Sequence, residues 1–180
     1  MIDARAVFDG LVAHGITRIA LTGDSAGAGL ALVLLRHASA RARNGVGVRP
    51  VGAAVISALT DLALTGASLT TLADVDPLLD VRSIVMTNRL YLGDTDPRHP
   101  DASPLYGDLA DLPPVVMHVG SDDILLDDST RFGAAMTAAG SESEVHVWDG
   151  MIHVFPSNVA IFAAARDALD QIGEFIRHRV

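Results

Sequence analysis

Short runs of apolar residues alternate along the chain with longer segments in which apolar residues recur at helical spacing. A short continuous apolar run is typical of a strand that helices cover on both faces, so the alternation predicts an α/β fold with a mostly parallel sheet. We predict about four strands, at 18–21, 51–57, 115–119 and 144–148. The last of them alternates apolar and polar residues and is therefore expected near a sheet edge.

Helices are predicted between these strands and after the last one, at 3–14, 26–43, 76–92, 128–139 and from about 158 onward. The third should begin at Asp76, because aspartate is a good capping residue and Pro77 suits the first helical position. Gly140 should end the fourth helix. In the last helix, apolar residues form one stripe that we interpret as core packing: Phe162, Ala165, Leu169, Ile172 and Ile176.

The connection between the second and third predicted strands spans residues 58–114 and is rich in proline in its later part. A connection of this length either lines a functional site or is a surface excursion, and the sequence favours neither. No internal repeat or low-complexity segment divides the chain, so residues 1–180 are expected to form a single domain.

Composition and charge exclude several classes of function. The formal net charge is −9 and no basic cluster is present, which makes nucleic acid a poor candidate partner. The longest apolar stretch, 26–35, is far shorter than the roughly 18 residues of a membrane span. The N-terminus lacks the basic start and apolar run of a secretion signal, so we expect a cytoplasmic protein. Without cysteine there are no disulfides and no thiolate metal sites.

The first predicted strand leads directly into Gly23-Asp24-Ser25-Ala26-Gly27, and a helix follows. This order is typical of a nucleophile elbow, in which a serine lies on a very tight turn with its hydroxyl exposed. The two glycines are expected because a Cβ at either position would hit a neighbouring strand or helix, and the N–H of Ala26 should donate to the reacting oxygen. The alternative is a glycine-rich turn in which Asp24 or Ser25 only caps the helix.

A serine hydroxyl needs a base beside it, normally a histidine that a carboxylate orients. His153 follows the fourth predicted strand, and four acids follow the third: Asp122, Asp123, Asp127 and Asp128. The order serine, acid, histidine, at the C-terminal ends of predicted parallel strands, matches that of α/β hydrolases. Asp123 is preferred because it lies just past its strand, whereas Asp127 and Asp128 are expected to cap the next helix.

The other titratable residues have simpler interpretations. His118 and His146 fall within predicted strands and are interpreted as packing or surface residues. Asp61, after the second strand, is a candidate structural carboxylate beneath the site. No histidines recur at the short spacing of a metal site, so neither a metal nor a cofactor is expected.

The chain resembles the hormone-sensitive lipase family of α/β-hydrolase esterases and lipases, whose elbow reads Gly-Asp-Ser-Ala-Gly. The likeness spans nearly the whole chain and includes Ile16-Thr17-Arg18-Ile19, Ser103-Pro104-Leu105, Leu112-Pro113-Pro114 and Gly150-Met151-Ile152-His153. The resemblance implies hydrolysis of acyl esters, often short-chain, with Ser25 as nucleophile, His153 as general base and then acid, and Asp123 as the orienting carboxylate.

The resemblance also implies an N-terminal half with cap helices, the first strands of the sheet and a His-Gly-Gly-Gly loop, and no histidine in this sequence precedes a glycine run. We therefore expect the chain to be the C-terminal portion of such an enzyme, a partial α/β-hydrolase fold. Each oxyanion donor from that loop is worth roughly 10²- to 10³-fold in rate, so activity should be weak or absent. The elbow strand should form an exposed edge that favours homo-oligomers.

Three functions remain open at this point. The favoured one is a serine esterase that acts on a small-molecule carboxylic ester. The second is a non-catalytic remnant of such an enzyme, or an interaction module that dimerises through its exposed edge. The third is peptide cleavage or acyl transfer by the same three residues.

Overall fold

The computed structural model describes all 180 residues, and it confirms the α/β architecture with a four-stranded parallel sheet. The strands are β1 (Ala20–Asp24), β2 (Gly52–Ile56), β3 (Val115–Gly120) and β4 (Ser143–Trp148). They lie side by side in the order β1-β2-β3-β4, and every neighbouring pair is parallel. Consecutive parallel strands require crossover connections, and helices supply them here.

Six α-helices surround the sheet: α1 (Ile2–Ala13), α2 (Ser25–Arg43), α3 (Ser68–Thr71), α4 (Val81–Leu92), α5 (Leu126–Ala138) and α6 (Ala163–Arg177). Single turns of 3₁₀-helix lie at Pro104–Tyr106 and Phe155–Ser157. Every helix falls short of the combined length and apolarity that crossing a lipid bilayer requires.

Both faces of the sheet are covered, as the apolar runs predicted. Successive strand residues point to opposite faces, so Val55 and Met117 pack with α1, α2 and α5 on one side. Ala54 and Val116 pack against Ile172 of α6 on the other side. The helices on both faces explain why β2 and β3, apart from His118, are apolar rather than alternating.

The two edges of the sheet are β1 and β4. The prediction that the fourth strand lies at an edge is confirmed, and its exposed and half-buried residues reflect that position. β1 pairs with β2 alone, from Ala20 opposite Gly52 to Asp24 opposite Ile56. The outer backbone of the elbow strand therefore has no neighbouring strand in this structure.

The predicted start of the third helix is wrong. α4 begins at Val81, and its capping residue is Asp80, whose carboxylate accepts the backbone N–H of Ser83 at 3.2 Å. Asp76 instead closes a tight turn, accepting the N–H of Leu78 at 2.9 Å. An aspartate followed by proline suits a turn as well as a helix start, so the local signal could not distinguish the two.

The last helix begins at Ala163, later than predicted, because residues 159–161 form a separate turn in which Asn158 accepts the N–H groups of Ile161 and Phe162. Its stripe is only partly buried. Ala165 and Ile172 lie in the interior, whereas Leu169 is 40% exposed. Core packing therefore accounts for part of the stripe and not for all of it.

Candidate active site

A sharp turn joins β1 to α2 where the sequence predicted a nucleophile elbow. β1 ends at Asp24 and α2 begins at Ser25, whose φ of 51° lies in the left-handed region. A residue other than glycine is uncommon there, and such backbone strain concentrates at functional sites. The strained turn sets the serine side chain at the C-terminal end of the strand, between the sheet and the helix.

The two elbow glycines differ in their surroundings. A Cβ at Gly23 would lie 2.5 Å from the carbonyl oxygen of Gly27 and 2.9 Å from the nitrogen of Ala28, so only glycine fits there. A Cβ at Gly27 would meet no atom within 4 Å. The expectation that both positions exclude a Cβ is therefore wrong for Gly27, which faces open space at the exposed start of α2.

Ala26 is the second residue of α2. The first N–H groups of a helix have no acceptor within it, and the positive end of the helix dipole lies there. The N–H of Ala26 is thus placed next to Ser25 and is suited to stabilise negative charge on an oxygen bound there.

The structure brings the side chains of Ser25, His153 and Asp123 together. Nε2 of His153 lies 3.0 Å from Oγ of Ser25, and Nδ1 lies 3.1 Å from each carboxylate oxygen of Asp123. Asp123 is fully buried and His153 is 6% exposed, so water competes little for these contacts. With the ring proton on Nδ1, the imidazole donates to the carboxylate and Nε2 accepts from the serine hydroxyl, an arrangement that can activate the serine.

The neighbouring acids make other contacts, and Asp123 alone of the four reaches the imidazole. Asp122 accepts from the hydroxyl of Ser121 at 3.0 Å. Asp127 accepts the backbone N–H of Ser68 at 3.0 Å. Since α5 begins at Leu126, two residues before the predicted start, and no side chain caps it, the expectation that Asp127 and Asp128 cap it is wrong. Their carboxylates bind N–H groups of the connection after β2 instead.

Asp61 is a structural carboxylate in the first part of that connection. It is fully buried and accepts from the hydroxyls of Thr65 at 2.5 Å and Tyr106 at 2.9 Å, and from Arg131 at 3.2 Å. Burial acts to raise the pKa of Asp61, but the hydrogen bonds from Thr65, Tyr106 and Ala63 outweigh it and lower that pKa. The side chain is therefore held as an anion.

Asp128 lies beside Asp61, but its pKa is shifted in the opposite direction. One carboxylate oxygen accepts the backbone N–H groups of Thr60 at 2.7 Å and Asp61 at 2.8 Å, while the other is buried with no hydrogen-bond partner. Burial raises the pKa of Asp128 to about 7 despite these two N–H donors, and the charge of Asp61 adds to the rise. No sequence pattern indicated this pair, because its members are far apart in the chain.

His118, interpreted from the sequence as a packing or surface residue, is fully buried within β3, so it is a packing residue. Its ring stacks on that of His146 with centroids 4.7 Å apart, and Nδ1 accepts the indole N–H of Trp148 at 3.1 Å. Burial, together with the adjacent His146, lowers the pKa of His118 to about 4, so its ring is neutral at pH 7. No group of three or more His, Cys, Asp or Glu side chains is arranged to hold a metal ion.

A mostly apolar groove of about 300 Å³ begins at Ala26 and Gly27 of the elbow and runs between α2 and α4. Its apolar lining comes from both helices, from the connection after β2 and from the N-terminus, and includes Met1, Leu30, Val33, Leu59, Leu62, Tyr91 and Ala102. The groove therefore places apolar surface directly beside the elbow.

Comparison with known proteins gives consistent relatives. A family model described as the alpha/beta hydrolase fold matches residues 2–157. The chain is 38% identical over 177 residues to an acetyl-hydrolase of Streptomyces hygroscopicus, covering 97% of this chain and 58% of that protein. It is 37% identical over 172 residues to an esterase of Acinetobacter venetianus, covering 94% of this chain and 55% of that protein.

Solved structures agree with these sequences. An esterase from the bacterial hormone-sensitive lipase family superposes with a TM-score of 0.90 at 38% identity, covering 98% of this chain and 59% of its own. The structure of EstE5 soaked with p-nitrophenyl butyrate superposes with a TM-score of 0.87 at 34% identity, covering 96% and 57%. The chain thus spans little more than half the length of the relatives it matches.

Proposed function

The chain belongs to the α/β-hydrolase fold family, in its hormone-sensitive lipase branch, and from that premise we propose that it carries the catalytic residues of a carboxylic-ester hydrolase. Ser25 is the nucleophile, His153 the general base and then acid, and Asp123 the carboxylate that orients the imidazole. The observation that carries the proposal is the 3.0 Å approach of His153 Nε2 to Ser25 Oγ, with Asp123 bonded to the opposite ring nitrogen.

The chemistry proceeds through an acyl-enzyme. His153 takes the hydroxyl proton as Ser25 Oγ bonds to the ester carbonyl carbon, and the carbonyl oxygen becomes an anion. Collapse of this intermediate breaks the bond to the alcohol oxygen, which receives the proton from His153. Water then attacks the acyl group with His153 again as base, releasing the carboxylic acid and restoring the serine hydroxyl.

The anionic oxygen of each tetrahedral intermediate needs hydrogen-bond donors, and the N–H of Ala26 supplies one. A single oxyanion donor is worth roughly 10²- to 10³-fold in rate. The family resemblance places further donors on a His-Gly-Gly-Gly loop, a motif that these 180 residues lack. We therefore expect acylation of Ser25 to be detectable but turnover by these residues alone to be slow.

The substrate class is a small ester with a short acyl chain. The groove at the elbow holds about 300 Å³, and its apolar lining suits an aliphatic group that leaves water. One relative is an acetyl-hydrolase, and a solved relative was soaked with p-nitrophenyl butyrate, both of which point to short acyl groups. Acetyl and butyryl esters are therefore the first substrates to test.

A fluorophosphonate probe tests the nucleophile directly, since it phosphonylates a serine that an adjacent base activates. The purified chain should be labelled at Ser25, as located by peptide mass spectrometry, and p-nitrophenyl acetate should be hydrolysed slowly. Ser25→Ala should lose both, whereas Ser83→Ala, which removes an exposed hydroxyl at the start of α4, should keep both. A folded chain in which Ser25 stays unlabelled would contradict the proposal.

One observation supports the interaction module as a second candidate. β1 pairs with β2 alone, so its outer backbone groups are available to a strand of another molecule. A chain that forms dimers through β1 while Ser25 stays unreactive would favour this function. Peptide cleavage or acyl transfer by the same residues would instead show as turnover of an amide substrate, or transfer to an added acyl acceptor, that is faster than ester hydrolysis.

A further inference from the structure

The long connection after β2 contacts the backbone beside the proposed catalytic residues. The N–H of Leu59 donates to the carbonyl oxygen of Ser25 at 3.0 Å. Two side chains, Ser57 just before the connection and Asp76 within it, accept N–H groups from the loops that carry His153 and Asp123. The sequence left open whether this connection serves a site, and these contacts associate it with one.

Ser57 binds the loop that follows β4 and carries His153, which we call the histidine loop. It is fully buried directly after β2, and its Oγ accepts the N–H of Val154, the residue that follows His153, at 2.9 Å. The φ angles of Ser57 and Val154 are 47° and 49°, both in the left-handed region. Bulky residues such as valine adopt that region only where the surroundings enforce it, so the bond from Val154 to Ser57 fixes a strained backbone next to the imidazole.

Asp76 binds the loop between β3 and α5 that carries Asp123, which we call the acid loop. Its Oδ2 accepts the N–H of Ile124, the residue that follows Asp123, at 3.1 Å, while its Oδ1 accepts the N–H of Leu78 at 2.9 Å. Ile124 is fully buried and Asp76 is 7% exposed. A buried N–H without an acceptor is costly, so loss of this carboxylate would shift the turn that presents Asp123.

We infer that Ser57 and Asp76 are positioning residues for the triad, each fixing the backbone directly after one of its side chains, His153 and Asp123 respectively. The inference rests on the proposed function. Neither side chain touches the ester; they act by keeping the imidazole within hydrogen-bonding distance of both of its partners. Because a displacement of about 1 Å can cost up to about 100-fold in rate, two such bonds are enough to matter.

The chain offers a matched control for each variant. Ser141 is also a buried serine whose Oγ accepts a backbone N–H, from Leu112 at 2.9 Å, but it lies at the opposite end of β4 from the histidine loop. Asp80 is also an aspartate at a turn, accepting the N–H of Ser83 at 3.2 Å. Ser141→Ala and Asp80→Ala thus reproduce the loss of a backbone acceptor without touching either catalytic loop.

The first measurement is the second-order rate constant for fluorophosphonate labelling of Ser25 in the 180-residue chain. Ser57→Ala and Asp76→Ala should each lower it about tenfold or more, while the two controls stay within about twofold of the unaltered chain. Melting temperatures measured alongside should fall comparably in Ser57→Ala and Ser141→Ala, and further in Asp76→Ala than in Asp80→Ala, because Asp76 is buried and Asp80 is exposed. Equal labelling rates in variant and control would overturn the inference.

A second measurement does not depend on reactivity. In ¹⁵N-histidine NMR, the Nδ1 proton of His153, bonded to Asp123, should give a far-downfield signal in the unaltered chain and in both controls. Ser57→Ala and Asp76→Ala should broaden or remove it. If Ser25 proves unreactive, the signal still decides: its loss in the variants alone supports the positioning role while the proposed function fails. Its persistence in the variants, or its absence from the unaltered chain, overturns the inference.

Discussion

The carboxylate of Asp128 accepts the backbone N–H of Asp61 at 2.8 Å, which joins two fully buried acids by one hydrogen bond. The two differ in charge. Hydrogen bonds from hydroxyl and backbone groups outweigh burial and lower the pKa of Asp61, whereas burial raises the pKa of Asp128 to about 7. The pair therefore links α5 to the connection after β2, and its contribution to the free energy of unfolding depends on pH.

Asp128→Asn should make the free energy of unfolding less dependent on pH. A carboxyl whose pKa is higher in the folded than in the unfolded chain binds more protons when folded. The contribution of Asp128 to stability therefore falls as pH rises from 3.8, the ordinary pKa, to about 7, and then levels off. An amide does not titrate and still accepts the two N–H groups, so the variant should gain up to about 4 kcal/mol relative to the unaltered chain across this window.

Urea unfolding followed by circular dichroism, at several pH values between about 4 and about 8, measures this difference. Asp167→Asn, on the exposed face of α6, is the control and should follow the unaltered chain at every pH. A stability difference between Asp128→Asn and the unaltered chain that stays constant with pH would contradict the raised pKa.

The assignment of the orienting acid is tested by a pair of adjacent aspartates. Asp123→Asn should slow fluorophosphonate labelling by about 10³- to 10⁴-fold, because an amide can hold the imidazole in the wrong tautomer and cannot stabilise its protonated form. Asp122→Asn should stay within about twofold, since Asp122 binds the hydroxyl of Ser121 and not His153. The reverse ranking of the two rates would show that Asp122 is the orienting acid.

Alanine substitutions should separate the two elbow glycines. Gly23→Ala forces a Cβ against the backbone of Gly27 and Ala28, so we expect a loss of about 3 kcal/mol or more, or failure to fold. Gly27→Ala meets no atom and adds a better helix former, so it should raise stability by up to about 1 kcal/mol. Thermal unfolding of both variants measures the difference, and equal destabilisation would refute the steric distinction.

The sheet, and the meeting of the three candidate side chains at one end of it, could be predicted because their signals are local. Apolar runs marked the strands, and the motif around Ser25 lies at the end of one of them. His153 and Asp123 follow two others, and parallel strands present their C-terminal ends at one edge. The sequence did not indicate which hydrogen-bond partner each polar side chain has in the folded chain. Asp128 binds Thr60, 68 residues away, and only the folded chain brings the two together.

The errors have the same origin. Asp76-Pro77 carries the signal of a helix start, but the carboxylate of Asp76 is used by Ile124 of a distant loop, and α4 begins only after Asp80. The presence of a glycine in the elbow motif does not show that a Cβ would clash there, and at Gly27 a Cβ would meet no atom within 4 Å. In both cases the outcome depends on contacts between residues that are distant in the chain or on the space around a residue. Composition and spacing alone therefore could not predict it.

The two sheet edges differ in how they should associate. β1 reads Ala-Leu-Thr-Gly-Asp and carries one charge, at its very end, while β4 carries Glu144 and His146 in its middle. Charged residues on an edge strand oppose pairing with another chain, so β1 is the edge that should recruit a second copy. We therefore expect the 180-residue chain to form a dimer in solution that joins the two sheets through β1.

A lysine substitution on each edge strand in turn identifies the strand that forms the dimer contact. Thr22 of β1 is exposed, so Thr22→Lys should lower the dimer fraction about tenfold or more at equal concentration, because two like charges meet across the new pair. Val147 of β4 is 49% exposed, and Val147→Lys should leave the dimer intact. Sedimentation velocity over a concentration series measures both. A dimer that Val147→Lys disrupts and Thr22→Lys spares would place the contact on β4, and a chain that stays monomeric throughout would show that its backbone edge alone does not suffice for association.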